Sequence, residues 1–201
     1  MRFYGNISNQ LMEIGSRELI VGKVACRAMG VVVFVVLTAL GAFVYVPLPF
    51  TPVPITLQTF FVLLSGAFLG GAWGSLSQLG YVILGSLGLP IFSGAKGGFI
   101  RLLGPTGGYL FGFIVAAQVI GWLVRKKKKA GWIWLVFSMV VGSSIIYLLG
   151  AFQLAFVVHC GAKKAFLLGV LPFIPGDFLK LIAACYIYRK LEMRISRIFP
   201  G

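Results

Sequence analysis

Asp177 and Lys180 are the two ionisable residues that stand together within the apolar body of this chain, in the stretch PFIPGDFLK. An i,i+3 spacing puts both on one face of a helix. Pro172, Pro175 and Gly176 break the chain just before them, so Asp177 sits at or near a helix start. Two readings stand. In one, Asp177 caps the helix and Lys180 snorkels toward an interface. In the other, the pair floors a polar pocket. The carboxylate then accepts N–H groups from a solute, and the ammonium binds an oxygen or an anionic group.

A second group of such residues is GPTGGYLFG at 104–112. Thr106 is placed to cap a helix, and Gly107 and Gly108 leave its N-terminus bare. Such a terminus presents N–H donors and positive dipole to an anion or a carbonyl. Tyr109 adds an aromatic wall with a hydroxyl, and Arg101 lies just upstream. The same residues also fit a capped helix with a glycine packing face.

Other chemistries lack their residues. Cys26, Cys160 and Cys185 are far apart, form no CxxC, and read as apolar fillers. The lone His159 has only Cys160 beside it and no acidic neighbour, too few ligands for a metal, so no metal site and no cofactor is expected. No GxxxxGK[ST], GxSxG or HExxH occurs. Energy for uphill transport would therefore come from another chain or a gradient.

The elements that must position these groups follow from composition. Of 201 residues, 59% are hydrophobic and 11% charged, against about 25% charged in a soluble domain. With a mean hydropathy of +1.00, the net charge of +14 does not indicate a nucleic-acid-binding domain. The expectation is an all-α integral membrane protein of the lipid bilayer. Six apolar spans are expected at 24–46, 56–69, 72–87, 106–124, 132–159 and 174–188. Gly70 and Gly71 are left between the second and third as a tight hairpin. Residues 1–22 are mixed polar with no cleavable signal pattern. Ile7, Leu11 and Ile14 recur at helical spacing, which fits a surface-lying amphipathic helix or a frayed terminus. The organisation read is a cytoplasmic segment 1–22, a membrane domain 23–193 and a cytoplasmic tail 194–201.

Charge fixes the expected orientation. With both termini in the cytoplasm, Arg2, Arg17, Lys23, Arg27, the run 125–129, Arg189, Lys190, Arg194 and Arg197 all lie inside. Lys96, Arg101, Lys163 and Lys164 are left outside. The run RKKKK then needs no nucleic-acid role. Two outer connections stand out: PLPFTPVPI at 47–55, stiffened by four prolines, and the glycine-rich 88–105. Both read as pieces that fold over something. In the first span, Thr38 and Ala42 are spaced small-xxx-small, with Gly41 beside them, which suits close helix contact, either as internal packing or as a docking face for another membrane subunit.

The motifs VPLPFTPVPITLQTF (46–60), GLPIFSGAKGG (88–98), GPTGGYLFGF (104–113) and GVLPFIPGDFLK (169–180) together resemble the BioY family. These are the biotin-binding S components of energy-coupling-factor (ECF) transporters. The resemblance covers about residues 24–190. It implies a six-helix S-component fold in the plasma membrane, with a biotin pocket near the outer face under loop 47–55. It implies that Asp177 and Lys180 bind biotin, and more weakly Arg101, Thr106, Gly108 and Tyr109. Phe50, Phe92 and Tyr109 would pack the apolar parts of the ligand. It also implies docking on a transmembrane T subunit with two ATPases, or action alone, and a tipping motion to release substrate. Family docking uses an AxxxA-like pattern on the first helix. Here Val35 precedes Ala39, so Thr38, Ala39 and Ala42 are the docking candidates. An S component for thiamine or riboflavin, an intramembrane enzyme using Asp177 and Lys180, and a ligand-free scaffold remain as alternatives.

Overall fold

The structure is a computed structural model that describes residues 2–127 and 131–198, with side chains described at 22, 24–127 and 131–192. All six expected apolar segments are helical. In chain order the helices are α1 (Arg2–Phe43), α2 (Gln58–Leu69), α3 (Gly71–Ser86), α4 (Ile100–Leu103), α5 (Gly107–Lys126), α6 (Trp132–Val157), α7 (Ala162–Gly169) and α8 (Ile174–Ile198). The short α4 and α7, with a 3-10 turn at Leu171–Phe173, are additions to the sequence expectation. So is the extension of α1 back to Arg2. The amphipathic face expected from Ile7, Leu11 and Ile14 lies outside the described side chains.

The first span was expected to reach Val46, yet α1 stops at Phe43. Tyr45–Val46 (β1) instead pairs antiparallel with Ile55–Thr56 (β2), in the register Tyr45↔Thr56 and Val46↔Ile55. Aromatic and β-branched side chains favour a strand there, and Pro47 pushes the residue before it out of helical geometry. The proline-rich segment is therefore the tip of a small hairpin. Thr51 and Val53 turn inward and are buried.

Close backbone approach holds the bundle. The α2–α3 joint is Gly70 alone, in the left-handed region at φ 81°. The Arg125 guanidinium fills the space beside it and donates to Leu69 O at 2.7 Å. A side chain at 70 would collide with that guanidinium. On α5, a Cβ at Gly121 would overlap the Gly70–Gly71 backbone. The helix packs against α2, α3 and α6 and buries Ala116, Ala117 and Ile120 completely.

The outside of the bundle is apolar. On α6, Leu148, Phe152 and Phe156 form an exposed i,i+4 stripe, each at least 72% exposed. A soluble monomer rarely leaves a large apolar patch bare, whereas lipid covers it. Four segments are long and apolar enough to cross a membrane: 24–43, 107–126, 132–157 and 162–192. The apolar α2 has only 12 residues, about 18 Å of helix.

Gly121→Ala is expected to lower the thermal unfolding midpoint of the detergent-solubilised protein, with a cost of about 1–3 kcal/mol for overpacking. Gly161→Ala, where an added Cβ meets nothing within 4 Å, is the control. Equal midpoints for the two variants would contradict this packing.

Candidate functional site

A cavity of about 440 Å³ lies at the end of the bundle where the longest connections gather. It falls in the range of small-molecule sites, about 300–1,000 Å³. The β1–β2 hairpin contributes Tyr45, Pro52, Val53, Pro54 and Thr56. The 88–99 segment adds Phe92, Ser93 and Lys96, and α4–α5 adds Arg101, Thr106, Tyr109 and Phe113. Tyr147 of α6 and Asp177 and Lys180 of α8 complete the polar side.

Asp177 lies in the first turn of α8. Its partners are side chains. Oδ1 accepts from Lys180 Nζ at 2.6 Å and from the Thr59 hydroxyl at 3.2 Å. Oδ2 accepts from the Tyr147 hydroxyl at 2.6 Å. Lys180 also donates to Thr56 O at 2.6 Å and to Thr59 Oγ1 at 3.3 Å. Both charged side chains are only 13% exposed. Such a pair is stable only where hydrogen bonds satisfy the remaining lone pairs and protons, and here α2, α6 and the Thr56 carbonyl of β2 do so. Of the two readings of Asp177, this geometry matches the pocket floor. The strong contacts at 2.6 Å fix the pair, and the two longer ones both run to Thr59.

Of the residues singled out in the sequence, Asp177, Lys180, Arg101, Thr106, Tyr109 and Phe92 line the cavity together. Tyr109 presents its ring, because its hydroxyl donates to Gly169 O at 2.6 Å and holds the end of α7. Two others stand elsewhere. Phe50 is 58% exposed, on the hairpin tip and outside the lining. Gly108 faces α6, where a Cβ would overlap Leu149 O.

Of the two readings of the α5 start, the glycine packing face is the one found, not the bare N-terminus. Thr106 makes no side-chain cap, and Gly107 packs on Leu102 O and Gln153. Gln153 Nε2 donates to Leu102 O and Gly104 O, both at 2.7 Å, and closes the corner. The glycines there serve close packing.

The candidate docking residues divide as well. Thr38 and Ala42 are 0% exposed. The Thr38 hydroxyl donates to Phe34 O at 2.7 Å and accepts from Gln78 Nε2 at 3.3 Å. Ala39, about 100° further round the helix, is half-buried. The outward face of α1 instead carries Met29, Val32, Val33, Val36, Leu40 and Phe43. Cys185 is buried with its thiol 3.3 Å from Met139 Sδ, as a filler would be. Among the described residues no cluster of His, Cys, Asp or Glu is placed to hold a metal.

Sequence reasoning missed Thr56, Thr59, Lys96 and Tyr147. A signal existed for Tyr147, a hydroxyl midway along an apolar 26-residue helix. A buried hydroxyl needs a partner. Nothing local marked Thr59, whose role exists only because α2 meets α8.

The comparisons with known proteins agree with this architecture. The BioY family profile matches residues 16–197. A protein of Thermotoga maritima named biotin transporter BioY is 48% identical over 160 residues, 80% of this chain and 92% of that one. One of Pyrococcus horikoshii named probable biotin transporter BioY is 45% identical, over 81% of this chain and 93% of its own. The crystal structure of an S-component for biotin from an ECF-type ABC transporter superposes with a TM-score of 0.78. It is 27% identical, over 88% of this chain and 93% of that one. The fold is that of an S component, in a multi-pass protein of the plasma membrane. By a profile match over nearly its whole length, the chain belongs to the BioY family.

Proposed function

We propose that the chain takes up biotin as the substrate-binding S component of an ECF transporter. The observation that carries this reading is the largely buried, 13%-exposed Asp177–Lys180 pair on the floor of the cavity. Biotin has a ureido ring with two N–H donors and one carbonyl, an apolar bicycle, an aliphatic chain and a carboxylate. Asp177 accepts a ureido N–H and Lys180 donates to the ureido carbonyl. The longer Thr59 contacts are the ones that ligand replaces, so the pair exchanges one set of partners for another. Phe92, Phe113 and the Tyr109 ring wall the bicycle and chain. Asp177 is the one acid among the lining residues, and it is paired with Lys180. Lys96 and Arg101 therefore leave net positive charge in the cavity, and that charge suits the tail carboxylate.

The same reading places six crossings with both termini in the cytoplasm. The connections 44–57 and 88–106 both line the cavity, as does the α8 start, which puts them at one end. Residues 1–22 and 194–201 are then cytoplasmic segments flanking a membrane domain at 23–193. A transmembrane T subunit with two ATPases supplies the energy, since the sequence carries no P-loop motif. Its contact is the outward apolar face of α1, with Ala39 at its margin.

Calorimetry on the purified chain is expected to show tight biotin binding, weakened by about 1–3 kcal/mol in Asp177→Asn, the scale of a lost buried hydrogen bond. A folded wild type that binds no biotin would sink the reading. Arg101→Ala is expected to weaken biotin but to leave biotin methyl ester, which lacks the charge, nearly unchanged. Equal losses for both ligands would remove Arg101 from the tail end. The native cysteines test orientation. A membrane-impermeant maleimide is expected to label Cys160 in intact cells, and Cys26 only after permeabilisation. The reverse pattern would invert the topology.

A further inference from the structure

A chain of buried and half-buried hydrogen bonds runs from the ion pair to the far wall of the cavity. Lys180 Nζ donates to Thr56 O at 2.6 Å. The hydroxyl of the same Thr56 donates to Gln58 Oε1 at 3.0 Å. Gln58 Nε2 donates to the Tyr81 hydroxyl. Tyr81 in turn donates to Ile91 O at 2.9 Å. Tyr81 is 0% exposed, and its hydroxyl is used on both sides.

The segment at the end of this chain is a small hairpin that lines the cavity. Phe92 and Lys96 exchange backbone hydrogen bonds at 2.8 and 3.3 Å. The turn between them holds Gly94 at φ 75° and Ala95 at φ 55°. Both ends of the segment are tied to Gly85 O, through the N–H groups of Gly88 and Gly98 at 3.2 and 2.8 Å. Phe92 is buried, sets its ring edge-on to Tyr81 with centroids 5.6 Å apart, and packs where a Cβ at Gly85 would otherwise lie. Phe92, Ser93 and Lys96 all face the cavity. Tyr81 itself does not line it.

We propose that Tyr81 is a positioning residue for substrate binding. It straps the 88–99 hairpin against the cavity and, through Gln58 and Thr56, couples that hairpin to Lys180. The argument is one of satisfaction. Each group in the chain is buried or half-buried and has its partner in the next element, so moving one end leaves a buried polar group unpaired. A ligand that fixes Lys180 therefore also fixes Thr56 and Gln58, and the hairpin with its Phe92 wall and Lys96 charge stays closed behind it. The effect belongs mainly to escape, because a strap that holds a wall in place slows departure more than encounter.

The inference rests on the biotin reading, and the test keeps the two apart. Dissociation of labelled biotin from the purified full chain is measured by chase, for wild type, Tyr81→Phe and Gly85→Ala. The second variant pushes on the Phe92 ring sterically and removes no hydrogen-bonding group of the chain. Both are expected to dissociate about tenfold faster, one decade of affinity, with association little changed. The Tyr81→Phe factor is expected to shrink when Lys180 is already Met, because the chain is cut at its other end. Hydrogen exchange of the Phe92 and Lys96 amides, read without ligand, is expected to quicken in Tyr81→Phe. Wild-type dissociation in Tyr81→Phe, full multiplication of the two factors in the double variant, or unchanged exchange would each overturn the strap. Absence of biotin binding in wild type would overturn the function and leave the exchange result to judge the strap.

Discussion

Asp177 and Lys180 carry opposite charges in a bundle whose fully buried described side chains are all uncharged, with 13% of each side chain exposed. That burial constrains everything around them. Removing either charge would leave the other uncompensated in a low-dielectric site, at a cost of several kcal/mol. The fold answers by bringing four elements to the pair. Tyr147 comes from α6, Thr59 from α2 and the Thr56 carbonyl from β2, while α8 supplies the pair itself. The short strand pair at this end holds Thr56 so that its carbonyl meets Lys180 and its hydroxyl meets Gln58.

The same constraint explains why the cavity is preformed. Lys180 has three acceptors and each oxygen of Asp177 has at least one donor, so the protein's own groups hold the polar floor in place. Its weakest contacts, at 3.2 and 3.3 Å, both involve Thr59. In the proposed reading, a ligand with adjacent N–H and C=O groups enters by exchange: it replaces one hydroxyl and leaves the ammonium and carboxylate paired. That exchange gives selectivity, since a ligand lacking either group leaves a buried partner unmatched.

Much of this was legible in the residues. Apolar runs gave the six helices because the hydrophobicity of a membrane segment is local to it. The i,i+3 spacing of Asp177 and Lys180 gave the ion pair because helical geometry is also local. What depended on contact between distant segments was hidden. The GPTGG stretch read equally as an exposed helix start or as a glycine packing face, and only the contact of Leu149 and Gln153 of α6 decides for packing. Thr38 and Ala42 read either as internal packing or as a docking face, and contact decides for packing, since α3 supplies Gln78 to Thr38 from 40 residues away. Small residues permit close approach without saying which neighbour approaches. Phe50 read as a cavity wall because its proline-rich loop does cover the cavity. The turn at its tip sends Val53 inward and Phe50 out.

The most direct measurement is the structure of the full chain with biotin bound. The account predicts the ureido ring against Asp177 and Lys180, with N···O contacts of about 2.9 Å replacing those of Thr59, and the tail carboxylate toward Lys96 and Arg101. Biotin lying the other way round, with its carboxylate on Lys180 and its ureido ring away from Asp177, would contradict it.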